Sequence, residues 1–228
     1  MNRSMIKKSF LSTLPVMAGY LVLGIGFGIL LEENGCGLLW AAAMSIFIYA
    51  GSMQYVAINL MSGGATLIST AIMTVMVNAR HLFYGISMVD KYKNAGKKKP
   101  FLMFALTDET YSLVCNADIE DEKERHSYYF WCSLFDYLYW IIGSILGNAA
   151  GSVIPFNAAG IEFSMTALFV VVFTEQWLES KNHTSALVGV FSSLLCRVIF
   201  GSNFIIPSMI VITVILTVFR KRLEKEEK

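Results

Sequence analysis

Apolar positions in this chain do not recur at a helical or strand period. They run together in long blocks, and the charged residues gather between the blocks. Eight such blocks stand out, at 10–31, 38–61, 65–89, 101–116, 128–150, 163–177, 185–204 and 205–219. A bilayer core of ~30 Å takes about 20 apolar residues of helix to cross. A helix that is apolar all round belongs in lipid or in a deep core. The pattern therefore predicts an all-α integral membrane protein, a polytopic helical bundle of about 6–8 hydrophobic segments, folded as a single transmembrane domain over 1–228.

Some blocks carry their own interruptions. The first contains Pro15 and three glycines, Gly24, Gly26 and Gly28. The second reads FIYAGSMQY at its centre, with Gly51, Ser52 and Gln54 where a spanning helix should be most apolar. The seventh and eighth are nearly continuous, and the GSN at 201–203 with Pro207 marks a break between them.

Composition sharpens the picture. Hydrophobic residues make up 55% of the chain, mean hydropathy is +0.56, and charged residues reach only 15%, against roughly 25% in soluble domains. A net charge of +1 gives no basis for nucleic-acid binding. No cleavable signal peptide is expected, because the first apolar run lacks a small-residue cleavage site. Cys36, Cys115, Cys132 and Cys196 are scattered without metal-like spacing and read as reduced apolar thiols.

Orientation follows the Lys/Arg bias. The amino terminus carries Arg3, Lys7 and Lys8, the 90–99 loop five lysines, and the carboxyl tail opens on Arg220-Lys221-Arg222. All three are expected in the cytoplasm, and the loop 118–126, with five acids, outside. The count closes only if one block in each half fails to cross: the second, and its counterpart the sixth. Three crossings per half would then make repeats 10–116 and 128–219 inverted, a plan in which broken helices hold a solute near mid-membrane. Gly19-Tyr20 against Asp136-Tyr137, and Arg80 against Arg197, are weak internal matches, both 117 residues apart.

The polar residues inside the blocks need an explanation, because a charge at membrane depth costs several kcal/mol unless paired, hydrated or able to snorkel. Arg80 lies ten residues from Asp90, so snorkelling and lining a wet cavity both remain open for it. Asn78 and His81, at i and i+3, share a helix face; Asn78 has no long stem with which to escape, and His81 can take up a proton. Asp108 and Glu109 interrupt a short block. As neighbours they point about 100° apart on a helix, so one is expected to pair with Arg80 or Arg197 while the other faces the pathway. Alternatively the block dips into the membrane and keeps both acids wet. Asp136 and Arg197 are single charges whose simplest reading is structural pairing, with Arg197 also a candidate for the substrate or ion pathway. The Gly51–Gln54 break, with freed backbone groups, suits a zwitterion. Gly24 with Gly28, and Gly143, Gly147 and Gly151, form GxxxG ladders that signal close helix packing. No Walker, HExxH or GxSxG sequence appears, and GIGFG follows no strand. An enzyme is not expected, nor a cofactor or metal.

LPVMAGYLVLGIGFG, YAGSMQYVAINLMSGG, VNARHLFYGIS, LTDET and IEFSMTALFVVVF, in this order, closely resemble the AzlC family over roughly 10–220. The most specific element is N-x-R-H-x-x-Y-G, met by Asn78, Arg80, His81, Tyr84 and Gly85. Alanine at 79 and the acidic 118–126 loop depart from the family pattern. The resemblance implies a multi-pass permease of the bacterial cytoplasmic membrane that exports branched-chain amino acids beside a small hydrophobic AzlD-type partner. Two other functions fit the residues: a small-ion channel whose charges line a pore, or a non-transporting scaffold assembled through its glycine faces.

Overall fold

The computed structural model describes residues 3–115, 117–153, 160, 163, 166–167, 170, 173–174, 177–178, 182–201 and 204–226. The chain forms two compact units, 1–165 and 166–228. Among the described residues every regular element is helical.

Two long helices form the spine of the first unit, α1 (Arg3–Glu33) and α8 (Glu122–Val153). At 1.5 Å per residue each is about 45 Å long, enough to cross a bilayer. They lie side by side and parallel. Ser9 donates to the Tyr128 carbonyl at 3.4 Å, the Thr13 and Tyr139 hydroxyls are 3.3 Å apart, and Asn148 donates to the Gly28 carbonyl at 3.3 Å. The glycine ladders face each other along this seam. A methyl group added at Gly24 would sit 3.0 Å from the Ser144 backbone, and one at Gly143 would sit 3.1 Å from the Tyr20 and Leu21 carbonyls. At Gly28 and Gly147 it would overlap the backbone of Ser144 and Ile25 outright. Only glycine lets the two backbones come this close.

Between these helices the chain makes shorter pieces. The second apolar block is two helices, α2 (Leu38–Phe47) and α3 (Gly51–Ser62), broken at 48–50. Ser62 donates to the Asn34 side chain at 2.6 Å, and Asn148 to the Cys36 carbonyl at 2.9 Å, so α2 and α3 start and finish at the same end of the spine. They form a hairpin whose tip reaches the level of Tyr137 and Trp140, mid-way along α8. The block does not cross, as its polar centre suggested. Tyr49 at the tip has φ +44, the left-handed region that a non-glycine residue adopts at a cost.

The third block crosses as α4 (Leu67–Asn78) and α5 (Arg80–Met88), interrupted at Ala79. The Thr66 hydroxyl caps α4 by accepting from the Ser69 N–H at 3.2 Å. The lysine loop follows, and then α6 (Lys99–Phe104) and α7 (Asp108–Cys115), broken at 105–107. Here the structure departs from expectation. The 101–116 block was counted as a crossing, which put the acidic loop on the side opposite the lysines. In the structure Lys91 donates to the Cys115 carbonyl, Asn94 to Glu122 at 2.8 Å, and His126 lies 3.0 Å from the Lys91 carbonyl. The block is a second hairpin, and the 118–126 loop lies at the same end as the lysine loop. Met5 packs there too, against the buried cluster that includes Tyr92 and Tyr128. The acids were weak grounds for an outside placement, because orientation follows Lys and Arg and acids add little.

The two hairpins therefore enter from opposite ends of the spine and touch tip to tip. Tyr49 stands with ring centroids 4.9 Å from Tyr137 and 6.1 Å from Phe104. Inversion within this unit relates the hairpins; α1 and α8, the first helices of the two expected repeats, run parallel. Broken backbone at this depth is tolerated because protein surrounds it.

Large apolar side chains cover the outside: Leu39 is 86% exposed, Leu67 89% and Val75 68%. A surface this greasy suits lipid and not water. The second unit contains α9 (Thr184–Phe200) and α10 (Ile205–Glu226), the first ending at Gly201 with φ +58. The sixth apolar block, 163–177, falls largely outside the described residues.

Candidate functional site

Three of the short helices begin at one place. Ser52 is the second residue of α3, Arg80 the first of α5, and Asp108 the first of α7. The Arg80 guanidinium joins them. One of its nitrogens donates to Asp108 in an ion pair, and the other donates to the Ser52 hydroxyl at 2.6 Å. Both ends of the pair keep partial access, 31% for Arg80 and 20% for Asp108. Arg80 therefore neither snorkels to the surface nor stands alone. It closes the junction where α3 and α7 begin beside the α4–α5 stretch; the first N–H groups of α3 and α7 lack intrahelical acceptors, and their dipoles place partial positive charge there.

Asp108 and Glu109 diverge, as their spacing on a helix requires. Asp108 holds Arg80, while Glu109 accepts from the Tyr20 hydroxyl at 2.8 Å. Thr107 caps α7, accepting from the Thr110 N–H at 3.2 Å.

Beside the junction lies a cavity of about 690 Å³. Asn78 and His81 line it with Tyr49, Ala50 and Gly85, and its apolar wall comes from Ile48, Leu82, Ile86, Met103, Phe104 and Leu106. The His81 ring nitrogen Nδ1 is 3.2 Å from the Asn78 carbonyl oxygen, and its ring packs edge-on to Tyr84 at 6.1 Å. The Asn78 carboxamide makes no hydrogen bond among the described residues. An open amide and an imidazole among aliphatic side chains make a site of mixed polarity suited to a small amphiphilic solute.

Gly51 and Gln54 have a different place from the one expected. Gln54 is fully buried, and its carboxamide is occupied within the protein. Its oxygen accepts from the Ala50 N–H at 3.2 Å and from the Trp140 indole at 2.9 Å, and its nitrogen donates to Ser45 at 3.4 Å. Gly51 gives Trp140 room, since an added methyl would meet the indole at 3.0 Å. The two residues hold the hairpin tip against α8. Gln54→Leu should strand the Ala50 and Trp140 donors in an apolar setting, at about 1–3 kcal/mol each. Thermal unfolding in detergent should show a clearly lowered midpoint; an unchanged one would mean that the tip is fixed by other contacts.

Arg197 belongs to the second unit, where its guanidinium stands over the Phe204 ring at 5.5 Å. Sequence reasoning passed over Tyr20, Thr107 and Thr110, all buried and all bonded at the base of the junction. Tyrosine and threonine are common in membrane helices, so nothing local marks them. Asp136 was singled out, but as a member of a charge pair. In the structure it is fully buried and its partner is the Thr110 hydroxyl at 2.7 Å.

Lipid-facing helices, opposed hairpins and a part-buried ion pair beside their tips define a polytopic integral membrane protein. Residues 15–154, from Pro15 in α1 through the end of α8, match the family described as AzlC protein. The chain is 44% identical over 222 residues, 97% of its own length and 87% of the relative's, to a Bacillus subtilis protein named branched-chain amino acid transport protein AzlC. It is 42% identical over 220 residues, 96% and 90% of the two lengths, to an uncharacterized membrane protein of Haemophilus influenzae. It is also 25% identical over 191 residues, 80% and 78% of the two lengths, to the inner membrane protein YgaZ of Escherichia coli. The chain belongs to the AzlC family. No solved structure matches it.

Proposed function

We propose that this protein is the transporting subunit of a secondary exporter of branched-chain amino acids: leucine, isoleucine, valine, and also methionine. The observation that carries the reading is the junction at Arg80, where the starts of α3 and α7 meet beside a cavity of mixed polar and aliphatic lining. The substrate carboxylate is drawn to the helix starts and to Arg80, and Asn78 and His81 orient the head group. The aliphatic wall takes the side chain. It ranks leucine, isoleucine and valine only weakly, since a methylene is worth about 1–3 kcal/mol in such a pocket.

The similarity to the Bacillus subtilis transport protein supports this substrate class. Energy comes from the proton gradient, with Asp108, Glu109 and His81 as the ionisable groups nearest the solute. The protein works in the bacterial cytoplasmic membrane beside a small hydrophobic AzlD-type subunit, with its amino terminus and lysine loop facing the cytoplasm.

The test is exchange of labelled leucine across proteoliposomes, with and without that small subunit. Asn78→Ala should abolish leucine counterflow while inserted, folded protein stays at wild-type amounts. Undiminished counterflow in Asn78→Ala would remove the cavity as the substrate site. Single-channel currents from the reconstituted wild type would replace the carrier with a pore.

A further inference from the structure

Two carboxylates in the first unit, Glu109 and Asp136, have no cation bonded to them among the described residues, because Arg80 is engaged by Asp108. A continuous line of hydroxyls joins them. Glu109 Oε2 is 2.8 Å from the Tyr20 hydroxyl, which is 2.7 Å from Thr107 Oγ1. Thr107 Oγ1 is 3.1 Å from Thr110 Oγ1, which is 2.7 Å from Asp136 Oδ2. Every side chain between the two acids is buried, Thr110 fully and Tyr20 to 6% exposure.

Hydrogens can be counted along this line. There are four contacts, and each needs one proton. Each hydroxyl brings one, and an ionised carboxylate brings none. Tyr20, Thr107 and Thr110 therefore fill three contacts, and the fourth hydrogen must sit on a carboxyl group. With Glu109 protonated, every hydrogen bond points toward Asp136. With Asp136 protonated, every one points toward Glu109. The line accommodates one proton for two acids, and two ionised acids would leave a contact between bare oxygens.

We propose that Glu109 and Asp136 share a single transported proton and that Tyr20, Thr107 and Thr110 relay it between them. The transfer balances without another reactant. A proton leaves Glu109 for the Tyr20 oxygen as the Tyr20 hydrogen passes to Thr107. The Thr107 hydrogen passes to Thr110, and the Thr110 hydrogen to Asp136 Oδ2. All four bonds end reversed and the net charge is unchanged. The Glu109 end adjoins the Arg80–Asp108 pair, so occupancy of the junction by a charged solute acts on that end. The other Asp136 oxygen, Oδ1, is buried with no hydrogen-bond partner among the described residues. The remaining titratable groups around the line are Tyr49 at the first hairpin tip, Tyr84 on α5, and Tyr128, Cys132 and Tyr139 on α8.

This proposal rests on the reading of the protein as a proton-coupled carrier, and one experiment separates the two. Proteoliposomes bearing wild type, Asp136→Asn, Thr110→Val or Thr110→Ser are assayed for labelled leucine counterflow, which needs no net proton movement, and for net leucine flux driven by an imposed pH gradient. Asp136→Asn and Thr110→Val should keep counterflow and lose the gradient-driven flux, while Thr110→Ser, which restores the hydroxyl, keeps both. Gradient-driven flux surviving in Asp136→Asn and Thr110→Val overturns the relay. So does loss of counterflow together with driven flux in both, which makes the residues merely structural. A wild-type flux indifferent to the gradient overturns proton coupling itself, and the relay with it.

Discussion

Arg80→Lys is expected to lose leucine counterflow almost completely, although the positive charge remains. Arginine engages Asp108 with one nitrogen and Ser52 with the other, and a planar fork makes that two-point bridge at fixed geometry. A lysine ammonium on a flexible stem does not. The start of α3 and the start of α7 then lose their common partner, and the positive charge that draws the substrate carboxylate is no longer held in place. A hydrogen bond to a charged group is worth about 1.5–3 kcal/mol, so apparent leucine affinity should fall by at least about tenfold. Arg80→Ala should behave worse. It leaves Asp108 uncompensated, and since both groups keep some solvent access the stability cost stays below the ~3–5 kcal/mol of a fully buried pair. Counterflow reads the first effect and thermal unfolding the second. Wild-type counterflow in Arg80→Lys would show that the guanidinium is structural only.

Gly147→Leu should prevent folding altogether. A single methyl at that position already overlaps the Ile25 backbone, and backbone on a straight helix has no rotamer with which to escape. The penalty therefore exceeds the ~1–3 kcal/mol typical of an overpacked core. The ladder should grade. Gly28→Ala resembles Gly147→Leu, Gly24→Ala and Gly143→Ala are intermediate, and Gly151→Ala is mild, because its nearest neighbour is the Glu32 side chain at 3.3 Å. Size-exclusion profiles of detergent-extracted protein give the order directly. Equal yields for Gly147→Leu and Gly151→Ala would mean that α1 and α8 do not meet along this seam.

Features carried by local chemistry were readable in the residues. Small residues at four-residue spacing have few uses in lipid other than close packing, and Gly24, Gly28, Gly143 and Gly147 lie where two backbones meet. A Gly-Ser-x-Gln run at the centre of an apolar block disrupts a spanning helix, and the α2–α3 break falls beside it. Features set by tertiary partners were not readable. The engagement of Arg80 with groups from two other helices has no glycine or proline beside it to announce it. The short 101–116 block was open to two readings, crossing or dipping, and only its contacts with the lysine loop decide for the hairpin. The partner of Asp136 is a threonine 26 residues earlier in the chain, and no periodicity marks it.

The seam between α1 and α8 also sets where the molecule can move. Two rods in contact backbone to backbone, with carbonyls seated against glycine, have no side-chain cushion on which to slide or roll. They act as a fixed mast. Any change of access from one face of the membrane to the other must then be carried by the slender pieces hung around it, flexing at Tyr49 and the 105–107 bend.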